Sequence, residues 1–290
     1  MSGVAVSFEI FPPRNEAAWK TLRPAMARLA AYRPEYVSVT YGAGGSTKPA
    51  TLETVAWLKR ETRLDVAGHL TCVGATRYEV DATVAAYRAL GVRRAVALRG
   101  DPADGMGAPY SPHPLGYQTT ADLVAALTEF GDMDVAVSAY PEKHPASPDF
   151  AADLDVLAAK AEAGARRAIT QFFFDNESFY RHRDRVAARG IDVELVPGIL
   201  PIGSFAQVAS FAQRCGTHIP ARLQERFAGL ENDPDTQRLV AAAVAAEQVD
   251  DLATNGVGAF HFYTLNRAEL TVACCRMLGL VPDDSAGAAA

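Results

Sequence analysis

Long apolar runs are missing from this chain. No stretch reaches the about 18 to 20 apolar residues that cross a bilayer, so no membrane-spanning helix is expected. Clusters of lysine and arginine are missing too. With 28 Lys and Arg against 34 Asp and Glu, the net charge is −6 at pH 7. Nothing gathers the cations that neutralise a phosphate backbone, which argues against nucleic acid as a partner. The four cysteines, Cys72, Cys215, Cys274 and Cys275, include no Cys-x-x-Cys pair. Neither a disulfide framework nor a zinc cluster is expected, and a reducing cytoplasm suits the composition. The histidines stand apart with no His-x-His, so no metal site is expected. The opening residues MSGVAVSFEIF show neither the charged leader nor the apolar segment of an export signal.

What is present is ordinary globular material, 49% hydrophobic and 21% charged, enough for a sizeable core. Short runs rich in Val, Phe, Tyr and Thr recur along the whole chain: 5–11, 36–41, 66–72, 94–100, 134–140, 168–174, 193–199 and 259–265. Each has strand length. Between them the apolar residues take helical spacing, as with Trp19, Leu22, Met26 and Leu29. Strand and helix alternating in this way imply right-handed βαβ units and a parallel sheet. Eight such units predict an α/β fold, a (β/α)8 TIM barrel. The long gap before the last strand, with its segments 204–216 and 222–253, predicts one or two extra helices. A doubly wound sheet would carry a Gly-rich turn after its first strand, where this chain has EIFPPR. No linker divides the chain, so one catalytic domain is expected over 1–281, followed by a disordered tail over 282–290.

The active site of a barrel forms at the C-terminal ends of its strands. Those positions hold Glu9; Thr40 and Tyr41 with the GAGGS turn; His69; Arg99, Gly100 and Asp101; Tyr140 and His144; Gln171 and Asp175; and Tyr263, Asn266 and Arg267. Taken singly, each has an ordinary role open to it. Glu9 can pair with an arginine, Asp101 can cap a helix, and His69 can be a satisfied core histidine. Taken together they describe a polar ligand pocket. Gln171 is the oddest, an amide inside AITQFFF, and a buried amide is costly unless something bonds to it. The five lysines, Lys20, Lys48, Lys59, Lys143 and Lys160, all fall outside the strands, which excludes a Schiff-base aldolase. A strand-borne glutamate amid aromatic surface suits acid catalysis on a flat heterocycle held by stacking.

The stretches SFEIFPPR (7–14), VSVTYGAGGS (37–46), HLTC (69–72), ALRGDP (97–102), AYPEKHP (139–145), ITQFFFD (169–175), PGILPI (197–202) and FHFYTLNR (260–267) resemble, in order, the methylenetetrahydrofolate reductase family of one-carbon metabolism. The resemblance implies a cytoplasmic flavoprotein barrel that takes electrons from NADH or NADPH onto FAD. It implies reduction of 5,10-methylenetetrahydrofolate to 5-methyltetrahydrofolate by ping-pong kinetics, and a homo-oligomer. Glu9 resembles the family's general acid, protonating N10 so that the ring opens to an N5 iminium cation, with Phe8, Ile10 and Phe11 as the apolar setting that raises its pKa. Asp101 matches the aspartate that favours that cation. Gln171, Gln207, Phe211 and Arg267 match substrate-binding positions, Gln171 serving pterin and nicotinamide in turn. Thr40, Tyr41, Ala43, His69, Arg99, Gly100, Asp101, Tyr140, His144, Asp153 and Lys160 match flavin-binding positions. Relatives often carry Asn and Arg where this chain has Val156 and Ala159. The rival expectations are a pterin-binding barrel transferase without flavin, and a folate binder without catalysis.

Overall fold

A computed structural model describes residues 3–42, 47–102 and 110–283. Its first half runs β1 (Ala5–Ile10), α1 (Glu16–Ala30), β2 (Val37–Val39), α2 (Lys48–Glu61), β3 (Val66–Thr71), α3 (Arg77–Ala89), β4 (Arg94–Leu98) and α4 (Thr120–Thr128). It continues with β5 (Asp134–Ala139), α5 (Phe150–Glu162), β6 (Arg167–Thr170), α6 (Asn176–Ala188), β7 (Glu194–Val196) and β8 (Gly198–Ile199). Helices α7 (Phe205–Cys215), α8 (Ala221–Phe227) and α9 (Pro234–Thr254) precede β9 (Ala259–Tyr263) and α10 (Glu269–Met277). The strands form one all-parallel sheet in the order β7-β6-β5-β4-β3-β2-β1-β9-β8. The (β/α)8 expectation holds.

The seventh barrel strand is broken at Pro197. Its first half, β7, pairs with β6, and its second, β8, pairs with β9. Proline has no N–H for a ladder, yet the Pro197 carbonyl accepts from His261 N–H at 3.0 Å. Gly198 N–H turns back to Thr170 Oγ1 at 2.9 Å, and the Tyr263 hydroxyl donates to the Thr170 carbonyl at 2.7 Å. These bonds close the cylinder across the break.

Helices begin where short polar side chains accept the free N–H groups of a first turn. Asn15 caps α1, Asp149 caps α5, and Thr76–Glu79 and Thr119–Asp122 form capping boxes on α3 and α4. Outward strand residues such as Phe8, Val37, Phe260 and Phe262 pack against Leu22, Met26, Leu29 and Leu58 in the main core. Inside the barrel, Tyr36, Ala67, Val96, Ala136 and Ile169 form a small apolar plug. Below it, Arg94 pairs with Asp65 and Asp134 at 2.7 and 2.6 Å, and Arg167 with Glu194 at 2.8 Å. The N-terminal end of the barrel is thus filled, and the C-terminal end is left open.

Among the described residues, no helix is long and apolar enough to cross a membrane, and no group of His, Cys, Asp and Glu could hold a metal. Two helices more than one barrel unit needs stand between β8 and β9. Of the expected tail, Asp283 donates its N–H to the Ala31 carbonyl at 2.7 Å and pairs with Arg33; positions 284–290 lie outside the described residues.

Candidate active site

Strand alternation sends Phe8 and Ile10 outward to the helices and Ser7 and Glu9 inward. Glu9 sits on the floor of a cavity of about 410 Å³ at the C-terminal mouth of the barrel. Its Oε2 lies 3.4 Å from His69 Nε2 and 3.7 Å from His261 Nε2. Neither contact is aligned as a hydrogen bond, so both buried nitrogens stay unsatisfied. Burial pushes the His69 pKa down, and the Glu9 charge pulls it part of the way back. His261 is held from behind: its Nδ1 is 2.7 Å from Ser7 Oγ, and its ring stacks on Tyr36. The setting of Glu9 is therefore two imidazoles, and the expectation that Phe8 and Ile10 surround it is corrected by the pleat.

The same cavity is lined by Thr40, Tyr41, Asp101, Tyr140, Gln171, Phe172, Phe211 and Tyr263. Strand β6 ends at Thr170, so Gln171 lies just beyond the strand that was expected to contain it. Its N–H still donates to the Ala139 carbonyl at 2.8 Å. Its Oε1 accepts from Phe172 N–H at 3.0 Å, which leaves both amide hydrogens for the cavity. Loss of water raises the Asp101 pKa, and Arg99 pulls it down. The apolar wall is Phe172, set edge-on to Tyr263, and Phe211, beneath the Arg214 guanidinium.

A second cavity, of about 380 Å³, adjoins the first, the two sharing Ser138 and Tyr140. Arg99, His144, Asp153, Lys160 and His182 line it. Asp153 accepts from Ser147 Oγ at 2.8 Å and so ties the loop after β5 to α5. His144 Nδ1 accepts from Ala146 N–H at 2.9 Å, and its Nε2 lies 3.5 Å from the Arg99 guanidinium. Burial, with Arg99 beside it, pushes the His144 pKa down to about 4. Lys160 is 5% exposed and donates to the Ser138 carbonyl at 2.9 Å. No carboxylate among the described residues reaches it within ion-pair distance, and burial pushes its pKa down to about 8.

Of the site residues expected from sequence, Gly100, Asp175, Gln207, Asn266 and Arg267 line neither cavity; Asp175 pairs with Arg222, and Asn266 bonds the Phe11 backbone. Gly100 serves through its backbone: it has φ +80, and a Cβ would lie 2.5 Å from Val73 Cγ1. Gln207 and Arg267 are exposed. Phe211 faces the cavity without Gln207, although the two stand four residues apart on α7. Ala43 lies outside the described residues. The sequence reading missed His182 and His261. His261 is two residues before Tyr263 on one strand, so alternation alone puts both on the inner face.

This is a (β/α)8 barrel whose open end gathers acids, imidazoles, an amide and aromatic rings around two joined cavities, which is the layout of a barrel enzyme. The methylenetetrahydrofolate reductase family model matches residues 2–279. The chain is 46% identical over 280 residues to the 5,10-methylenetetrahydrofolate reductase of Pectobacterium carotovorum, covering 97% of this chain and 92% of that one. It is 45% identical over 279 residues to that of Escherichia coli, covering 96% and 92%. A solved protein from Clostridium thermocellum, described as binding two copies of 5-methyl-5,6,7,8-tetrahydrofolic acid, shares the fold at TM-score 0.60 and 13% identity, over 95% of this chain and 94% of that one. The chain belongs to the methylenetetrahydrofolate reductase family, a family of oxidoreductases.

Proposed function

We propose that this chain reduces 5,10-methylenetetrahydrofolate to 5-methyltetrahydrofolate with electrons from NADH or NADPH, passed through FAD. The observation that carries the reading is the convergence of Glu9, Asp101, Gln171 and Phe211 on one cavity that continues into a second, cationic one. The pair suits a ligand with a flat ring at one end and phosphate at the other. The residues fit FAD on two counts: among the described residues, Lys160 is a buried cation without a carboxylate within ion-pair distance, and His69 Nε2 has no hydrogen-bond partner. Thr40, Tyr41, His69 and Tyr140 surround the ring end, and Arg99, His144 and Lys160 hold the phosphate end. Bound flavin supplies the hydride acceptor and donor that links pyridine nucleotide to folate.

The chain's own groups do the rest. Glu9 donates a proton to N10 of the folate, which opens the five-membered ring and leaves positive charge on the N5–methylene unit. Asp101 stabilises that charge as a carboxylate at the cavity mouth. Gln171 offers its amide hydrogens to the pterin or to the nicotinamide. Phe211 stacks on whichever substrate is present. One cavity serving both substrates means that they visit in turn, hence ping-pong kinetics.

An absorption spectrum of the purified protein and an NADH–menadione assay test the cofactor. Flavin bands with turnover are expected; a colourless protein that binds folate without redox activity would point to a pterin-binding transferase or a simple binder. Glu9→Gln is expected to lower folate reduction by about 10²-fold or more, the usual worth of a placed acid, while flavin reduction by pyridine nucleotide stays near wild type. Loss of both half-reactions together contradicts the role given to Glu9.

A further inference from the structure

Helix α6 contributes one side chain to the second cavity that the reading above does not use. His182 is 3% exposed and lies, with Lys160, among the residues lining that cavity. Its Nε2 is buried with no hydrogen-bond partner among the described residues. Among the described residues, no hydrogen bond to either ring nitrogen is formed. A buried imidazole left unsatisfied works against folding unless a ligand completes it. The α5 wall is otherwise poor in donors: it brings Val156 and Leu157, and one cationic head, Lys160.

We infer that His182 and Lys160 together form a seat for a phosphate group, with the imidazole N–H of His182 and the Lys160 ammonium both donating to its oxygens. The inference rests on the flavin reading and names the diphosphate of FAD as the group seated. The chemistry fits. Burial pushes the His182 pKa down to about 4, so near neutrality the ring is uncharged and carries a single N–H to give. Lys160 brings the charge, and the imidazole brings a directed bond without a second buried cation. Asp153 is the carboxylate nearest in effect to both groups, but its oxygens already accept from Ser147 Oγ and His144 N–H. Among the described residues, then, no carboxylate takes the seat.

The test is ligand binding to the flavin-free protein, followed by flavin fluorescence for FAD and riboflavin and by calorimetry for ADP. His182→Phe is expected to weaken FAD and ADP by about tenfold or more, the loss of one hydrogen bond to a charged group, and to leave riboflavin, which has no phosphate, unchanged. His182→Gln keeps an amide N–H and is expected to recover most of the loss. Equal weakening of riboflavin and FAD would mean that His182 only shapes the fold, and unchanged FAD binding in His182→Phe would remove the seat while leaving the flavin reading intact. Wild-type binding of ADP without FAD would do the reverse. Should His182→Phe fail to fold, 15N spectra of histidine-labelled wild-type protein decide: ADP must shift one imidazole signal that His182→Gln lacks, and an unshifted set overturns the proposal.

Discussion

Glu9 holds its carboxyl between two imidazoles that approach from different strands, β3 and β9, and neither closes a hydrogen bond on it. A side chain that is nearly buried and incompletely bonded is poised for a ligand. The same holds for His182, and there it carries a pH dependence. Its pKa falls from the ordinary histidine value to about 4 in the folded chain, chiefly through burial. Between those values the unfolded chain binds the extra proton, so this residue's contribution to stability is whole above about pH 6.5 and is lost as the pH falls toward 4. The full swing is worth at most about 3 kcal/mol. The protein is expected to lose Tm as the pH drops from 6.5 to 4.5, and His182→Phe to flatten that fall; parallel curves would show that the ring does not titrate as described. His144 has the same direction of shift, so the variant removes only part of the slope. Residues of this scale were unevenly legible. Glu9 and Gln171 lie within strand-like runs and Asp101 just after one, where a barrel keeps its chemistry. His182 sits in RHRDR, a charge-rich stretch that reads as solvated surface, and only the packing of α6 against α5 reveals its burial. Gln207 and Arg267 were assigned by likeness alone, and nothing local says that their side chains face solvent.

At the scale of elements, every expected strand is present, because alternating apolar runs and capped helices leave little choice of architecture. The differences fall at strand ends. The run 168–174 has one apolar composition throughout, yet pairing stops at Thr170: Phe173 turns to the main core, where it stacks on Phe179, while Phe172 and Phe174 join a second apolar cluster with α7 and α9. Composition alone does not mark that change. Nor does it mark the break at Pro197, where Gly198 bears the consequence. A Cβ there would lie 2.1 Å from the Thr170 carbonyl oxygen and 2.6 Å from the Tyr263 ring, and backbone cannot move aside cheaply in a closed cylinder. Gly198→Ala is expected to cost about 2 kcal/mol or more and to lower Tm by about 4 °C or more, measured by far-UV circular dichroism. Gly203→Ala is the control. Among the described residues, no atom lies within 4 Å of its added methyl group, and its Tm is expected to match wild type. If the two variants behaved alike, the strand-7 junction would be looser than the hydrogen bonds across it indicate.

The whole molecule divides its charges by end. Both cavities open at the C-terminal mouth, while the N-terminal end is sealed by Tyr36 and a ring of ion pairs. There Asp134 takes Arg94 at 2.6 Å and Arg167 at 3.3 Å, and Arg167 also reaches Glu194 and Glu35 at 2.8 and 3.5 Å. Three carboxylates around one guanidinium raise the Arg167 pKa against the opposing effect of burial, so the charge is permanent and its removal leaves three anions facing one another. These groups are partly exposed, and water screens them, which limits the cost to about 1 kcal/mol. The chemistry lies beyond the apolar plug, at the other end of the strands. Arg167→Met is therefore expected to lower Tm by about 1 to 2 °C at low salt, less at 1 M salt, with turnover unchanged. Lost turnover at an unchanged Tm would show instead that the sealed end communicates with Glu9, by way of Tyr36 and the His261 ring stacked on it.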